Sequence, residues 1–187
     1  MPATIDTLVE DLDRAIGPAN CCEAAVCGTC TVLKNYADTC LDLPERLLQP
    51  SDGCYARHLV YQKEGDGFVV VAMVWGPGQG TAVHDHGGVW CVEGCVRGRL
   101  EITSYRKLDA DGDEVRFQRE GSVQVGPGKV GCLIPPFEHH RIHNPFPETA
   151  VTLHVYGKEL RNCTRYLEVG PDTYRPESVS LCYTSRP

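Results

Sequence analysis

After Pro50 the chain breaks into short β-prone runs separated by Gly, Pro and Asp, and that rhythm leaves few folds open. Candidate strands are Tyr55 to Gln62, Gly67 to Trp75, Val89 to Arg97, Arg99 to Lys107 and Glu114 to Arg119. Later ones are Val130 to Ile134, His140 to Asn144, Thr149 to Tyr156, Arg165 to Val169 and Val179 to Thr184. Asp66-Gly67 and Gly126-Pro127-Gly128 between them are turn signals of hairpin quality. Many short strands at this spacing predict a sandwich or barrel, and a jelly roll is the natural closed form. The expected fold is therefore mainly β, with the barrel in residues 51–187.

Residues 1–50 read differently. Ile5, Leu8, Val9, Leu12 and Ile16 recur at helical spacing, with Thr7 to Glu10 as a capping box and Gly17-Pro18 as the stop. A second helix is expected from Ala24 to Thr39. A short third one has Asp42 as its cap, Pro44 in its first turn and Leu47-Leu48 on its apolar side. These helices should pack on the barrel, so the 187 residues are expected to form one domain.

Composition narrows the function classes. The formal charge is -7 and no basic stripe or arginine-rich arm is present, so no nucleic-acid partner is expected. The longest apolar run, Val69 to Trp75, has strand length, so no membrane span is expected either. Asp6, Glu10, Asp11 and Asp13 interrupt any signal-peptide core, which makes a reducing cytoplasm the expected compartment. An odd number of cysteines, 11, then argues against a disulfide framework. Five of them lie from Cys21 to Cys40, including Cys27-Gly28-Thr29-Cys30. With no second C-x2-C pair to complete a zinc site, they read as small buried thiols in a helical segment. Asp109 to Asp113 resembles a calcium loop, but its glycine is fourth rather than sixth, so a solvated hairpin turn is expected.

The chemistry concentrates in His84-Asp85-His86. Gly78 precedes His84 with five residues between, Cys91 follows His86 with four between, and Gly98 follows Cys91 with six between. This spacing resembles the first metal motif of the cupin β-barrels, except that Cys91 stands where that motif has a Glu ligand. Two histidines at i and i+2 on a strand point to one face. The second cupin motif places a His four residues before an Asn, and His140 with Asn144 meets that offset where His139 does not. His84, His86 and His140 are thus the expected metal ligands. Three neutral imidazoles leave a divalent ion its full charge and open positions, as in catalytic sites. At this point a zinc hydrolase and an Fe(II) oxygenase both fit.

Five elements in order make the chain resemble the thiol dioxygenases, cysteine dioxygenases most closely, over roughly residues 50–160. These are Tyr55-Ala56-Arg57, the Trp75 to Gly80 run before the histidine pair, Cys91, His140-Arg141, and Thr152-Leu153-His154-Val155-Tyr156. The resemblance implies Fe(II) on His84, His86 and His140, and oxidation of L-cysteine by O2 to cysteine sulfinic acid. It implies substrate binding by Arg57 and Tyr55, with Arg57 clamping the substrate carboxylate. Tyr156, His154, Thr152 and Cys91 are implied at the reaction site, His154 bonding the Tyr156 hydroxyl and Thr152 orienting His154. Cys91 and Tyr156 are implied to form a thioether cross-link. The expected partners are a small thiol and O2, and the expected state is a monomer.

Some residues depart from the pattern. Gly157-Lys158-Glu159 replaces the mammalian Ser-Pro-Pro, and Trp90 is similar to bacterial 3-mercaptopropionate dioxygenases. Those enzymes carry Gln and Gly where this chain keeps Arg57 and Cys91, which favours cysteine. A non-catalytic cupin sensor and a zinc or manganese isomerase or hydrolase are the rival classes, since fold alone does not choose between them.

Overall fold

A computed structural model describes residues 3–37 and 41–187. Helix α1 (Ile5–Ile16) lays Leu8 and Leu12 into the core, and α2 (Cys22–Ala37) adds Val26, Leu33 and Tyr36. The capping box of α1 is Thr4 with Thr7, three residues ahead of the expected one. Thr4 Oγ1 accepts from the Thr7 backbone while the Thr7 hydroxyl accepts from the Thr4 amide, so threonine does the work expected of Glu10. Helix α2 begins two residues before the expected Ala24, and the expected end at Thr39 lies outside the described residues, as does Cys40. The third helix is one 3-10 turn, Glu45–Leu47, preceded by Pro44 without a side-chain cap. The thiols of this segment are not buried as expected. Cys21 and Cys27 are exposed and Cys22 and Cys30 half-buried, because α2 turns its alternate face to the core.

Eleven strands follow in the described residues. They are β1 (Ala56–Gln62), β2 (Val69–Trp75), β3 (Val83–His84), β4 (Cys91–Arg97), β5 (Leu100–Asp111), β6 (Glu114–Val125), β7 (Val130–Leu133), β8 (His140–His143), β9 (Ala150–Tyr156), β10 (Asn162–Gly170) and β11 (Thr173–Ser180). One sheet runs β1-β2-β9-β4-β7, and the other strands close a ring β10-β11-β6-β5-β8-β3. This is the mainly β jelly-roll barrel with N-terminal helices that the sequence predicts. The last strand differs: it lies at Thr173–Ser180 rather than Val179 to Thr184. No helix of the described residues is long and apolar enough to cross a membrane.

The five-stranded sheet is covered on both faces, which explains the unbroken apolar run of β2. Val70, Ala72, Val92, Leu153 and Val155 pack against the helices. Val69, Val71, Met73 and Trp75 face the barrel interior with Cys91 and Tyr156. Glycine is required where the backbones crowd. At Gly98 φ is +69° and a Cβ would sit 2.6 Å from the Thr149 carbonyl oxygen. At Gly157 a Cβ would sit 2.4 Å from Trp90 Nε1, so the indole rests on this glycine. The calcium-like run is a hairpin: Asp109 accepts two bonds from Arg116 across β5 and β6, and Gly112 turns with φ +58°.

Candidate metal centre and substrate cavity

Strand alternation decides which side chains meet inside the barrel. In register across β1, β2, β9 and β4, Arg57 stands opposite Met73, Met73 opposite Thr152, and Thr152 opposite Cys95. One step along, His154 stands opposite Glu93, and one step further Tyr156 stands opposite Cys91. The three inward residues of β9 therefore face the inward residues of β4 one to one.

The histidines come from the other wall. His84 on β3 pairs across to His140 on β8. His86 lies beyond the end of β3, so the expected two-residue alternation on one strand does not place it. A turn does: the Val89 amide donates to the His86 carbonyl at 2.9 Å, and Gly87 and Gly88 both take positive φ. The ligand atoms of His84, His86 and His140 lie within 4.8 Å of one another, and no other His, Cys, Asp and Glu cluster of that kind exists among the described residues. Asn144 is no ligand. Its Nδ2 donates to the carbonyls of Trp75 and Glu148, both at 2.8 Å, which clamps β8 to the end of β2. His139 points away, its ring packed 5.1 Å from Phe117 and 5.6 Å from Tyr166.

The tautomers follow from the partners. His84 Nδ1 faces the Ala82 carbonyl at 3.1 Å and His140 Nδ1 the Glu138 carbonyl at 2.8 Å, so both carry hydrogen on Nδ1 and aim the Nε2 lone pair at the shared point. His140 Nε2 and His86 Nδ1 are buried without any hydrogen-bond partner. Neutral nitrogens converging with unmet lone pairs fit a borderline transition metal such as iron or zinc. On β9 the indole of Trp75 can only donate, and it does so to Thr152 Oγ1 at 2.9 Å. The Thr152 hydroxyl then donates to His154 Nε2 at 2.8 Å, which leaves hydrogen on His154 Nδ1. That nitrogen faces Glu93 Oε2 at 3.4 Å and the Cys91 sulfur at 3.9 Å. The expected bond from His154 to the Tyr156 hydroxyl is absent, since both nitrogens are engaged elsewhere and the two rings stack at 6.0 Å.

A cavity of about 260 Å³ opens onto the triad, lined by Tyr55, Arg57, Trp75, Leu160 and Tyr156 among others. Arg57 is fixed by the C-terminal segment: its amide donates to Thr184 Oγ1 at 3.0 Å and its carbonyl accepts from the Thr184 amide at 2.7 Å. Its Nη1 reaches the Cys182 carbonyl at 3.5 Å and its guanidinium lies 5.3 Å from the Tyr183 ring centre, while Nη2 is buried with no partner. The Tyr55 ring stacks on Trp75 with centroids 4.5 Å apart. Among the described residues no Asp or Glu lines the cavity, and its second cation, Arg165, is paired with Glu177. The cavity therefore suits an anion at its Arg57 end and a metal at the other.

Burial controls the protonation states. It pushes the Tyr156 phenol and the Cys91 thiol well above their ordinary values. It raises the Glu93 carboxyl to about 7 and lowers His154 to about 3, so their contact is not an ion pair. His86 and His140 are held well below 6.5, by burial first and neighbouring histidines second. A buried neutral histidine binds fewer protons folded than unfolded, so it loses stability as pH falls below about 6.5. Glu93 acts in the opposite sense between its folded value of about 7 and its unfolded value near 4.5. Five histidines are held low, His84, His86, His139, His140 and His154, against two carboxyls held high, Glu93 and Glu138, so the metal-free protein should lose stability as pH falls from 6 to 5. Urea unfolding at the two pH values checks this; equal midpoints would refute it.

The sequence matches the profile of the family described as cysteine dioxygenase type I over residues 50–169, close to two thirds of the chain. The chain belongs to this family. Among curated relatives, cysteine dioxygenase type 1 of Homo sapiens is 30% identical over 115 residues, covering 58% of this chain and 54% of its own. That of Danio rerio is 28% identical over 118 residues, covering 60% and 55%. The chain spans about half the length of the curated relatives it matches. A solved structure from Klebsiella pneumoniae, an uncharacterized conserved protein with a double-stranded β-helix domain, aligns at a TM-score of 0.48. It is 20% identical and covers 61% of this chain and 85% of its own.

As a member of the cysteine dioxygenase type I family, the chain brings its candidate site residues to one place, while Arg141 stays exposed outside it. Arg57, Tyr55, His84, His86, His140, His154 and Tyr156 line the cavity, and Cys91 and Thr152 stand behind it on the same inward faces. Sequence reasoning missed Glu93, and it named Trp75 only as part of a motif, without a role. Glu93 lies two positions after Cys91 on the same strand, so the two-residue period that turns Cys91 inward also turns Glu93 inward. Trp75 sets the hydrogen-bond direction through Thr152, which depends on the β2–β9 register and has no local signal.

Proposed function

We propose that this protein is an iron(II)-dependent thiol dioxygenase that converts L-cysteine and O2 to cysteine sulfinic acid. The observation that carries this reading is the placement of Arg57, whose buried Nη2 has no partner, in a cavity without a described Asp or Glu and with three converging imidazoles. A substrate with a carboxylate at one end and a thiol at the other matches both poles. A divalent iron on His84, His86 and His140 supplies thiol deprotonation and redox reactivity toward O2, both of whose atoms end on sulfur. Neutral ligands suit that role, because the thiolate then balances the ion's charge.

The chain's own groups bind and orient. Arg57 holds the carboxylate by a fork-shaped pair of charge-assisted bonds. Tyr156 stays protonated and offers its hydroxyl to the reacting end. The chain from Trp75 through Thr152 fixes the His154 ring that stacks beside Tyr156. Met73, Ile142 and Leu160 exclude water from the cavity.

A second reading, 3-mercaptopropionate as substrate, draws on the missing acid. With no carboxylate in the lining, a substrate ammonium finds no counter-charge, whereas 3-mercaptopropionate has none to place. Metal analysis of the purified protein, with O2 uptake measured for cysteine, 3-mercaptopropionate and cysteamine side by side, decides. Iron with preferred turnover of cysteine is expected. Uptake only with 3-mercaptopropionate selects the second reading, and no uptake with any thiol refutes both and leaves a ligand-binding cupin.

Cys91 and Tyr156 are also proposed to cross-link. They are direct cross-strand partners, and both side chains are buried on the inward face. A sulfur–carbon bond forms with loss of the thiol hydrogen and one ring hydrogen, O2 taking the two electrons and two protons. The link would fix the phenol and remove a competing thiol from the site. Peptide mass spectrometry after aerobic turnover should find the Cys91 and Tyr156 peptides joined and lighter by two hydrogens. Only separate peptides after many turnovers would rule the link out.

A further inference from the structure

Arg57 is 6% exposed, and among the described residues no carboxylate pairs with its guanidinium. A buried charge needs something to hold it. Its only side-chain hydrogen bond among those residues runs from Nη1 to the Cys182 carbonyl at 3.5 Å, the outer limit for such a bond. The other partner is the ring of Tyr183, whose centre lies 5.3 Å from the guanidinium carbon, within cation–π range. The ring is held in place from both sides. Before it, the Leu181 amide donates to the Arg161 carbonyl at 2.8 Å. After it, the Ser185 carbonyl accepts from the Leu59 amide at 2.9 Å, and the Ser185 hydroxyl meets His58 Nδ1 at 2.8 Å. The Tyr183 hydroxyl is buried without a partner, so it is the ring and not the oxygen that makes the contact. A second guanidinium, Arg186, lies 4.8 Å from the same ring centre, but Glu159 pairs with it at 3.8 Å. Arg57, with no such pair, keeps its charge for a ligand. Tyr183 also lies beyond residues 50–169, the span that matches the family profile, so that match assigns it no role.

We propose that Tyr183 is a positioning residue for substrate recognition: its ring face holds the Arg57 guanidinium and leaves the N–H donors free for a substrate carboxylate. The proposal rests on the thiol dioxygenase reading of the site. A carboxylate in the ring's place would neutralise Arg57 and occupy the fork that the substrate must use. A carbonyl there would consume a donor. An aromatic face attracts the cation through its quadrupole and takes no N–H. That accounts for an Nη2 left unpartnered on a residue that lines the cavity. The ring should therefore matter for thiols that carry a carboxylate and not for those that lack one.

Tyr183→Leu removes the face and Tyr183→Phe keeps it. Calorimetric titration of the iron(II)-loaded protein without O2 reads the affinity for L-cysteine and for cysteamine. Tyr183→Leu should weaken cysteine binding on the order of 2- to 30-fold and leave cysteamine unchanged. Tyr183→Phe should bind cysteine as the wild type does. In O2 uptake by Tyr183→Leu, the rise in KM for cysteine should exceed the fall in kcat. Equal affinity for cysteine in Tyr183→Leu and wild type would overturn the proposal. So would equal weakening of the two thiols, or of the two variants. A wild type that binds no cysteine would overturn the dioxygenase reading itself, and this proposal with it. A shape-preserving series covers a Tyr183→Leu chain that does not fold. Successive ring fluorines on the Tyr183→Phe side chain drain the face at nearly constant shape, so cysteine affinity should fall stepwise. A flat series would equally overturn the proposal.

Discussion

His140→Ala should abolish iron binding and, with it, essentially all O2 uptake, while the protein stays folded. Among the described residues three protein ligands converge, so losing one leaves a two-histidine site that holds a divalent ion weakly. His139→Ala is the control. Its ring sits between Phe117 and Tyr166 on the far side of β8, so the change should cost some packing stability and leave iron content at the wild-type level. Iron analysis and circular dichroism on both variants check the pair. Full occupancy in His140→Ala with loss in His139→Ala would show that the wrong neighbour carries the metal.

The ligand choice was legible because it rests on local rules. The offset from His140 to Asn144 marks a short strand clamped at its end, and the structure shows Asn144 making that clamp through Trp75 and Glu148. The β2 run was legible because a strand covered by helices on one face and barrel on the other must be apolar throughout. The failures share a cause, which is that sequence does not reveal what a backbone pairs with. Pro176 sits inside β11 opposite Tyr166, and a proline there disguises the strand, which shifted the expected element toward Val179 to Thr184. Val179 and Ser180 end β11, and the residues after them run to β1, where Thr184 and Ser185 bond its edge and carry Tyr183 to Arg57. His86 escaped the strand rule because two glycines turn the chain just after it. Glu93 alternates with Cys91 along β4, but it lies two residues past the position where the cupin motif has its own glutamate, so no motif marks it.

Arg57→Ala should raise KM for cysteine by about 30- to 700-fold, the equivalent of about 2–4 kcal/mol for losing a buried charge-assisted pair. The site explains why no neighbour compensates. Arg165, the other cation of the lining, is held by Glu177 at 2.7 Å. The Arg57 backbone is tied to Thr184 on both its amide and carbonyl, so truncating the side chain should leave β1 in place and the thermal midpoint nearly unchanged. Arg57→Lys separates charge from shape. A lysine restores the charge without the two parallel donors, so it should recover part of the affinity and less of the rate, because the thiol is then less well aimed at the histidine pole. Cysteamine, which lacks the carboxylate, supplies the internal comparison: its weak turnover should be the same in all three proteins. Steady-state O2 uptake across the three proteins with both thiols is the measurement. Unchanged KM for cysteine in Arg57→Ala, or robust turnover of cysteamine by the wild type, would remove Arg57 from substrate recognition.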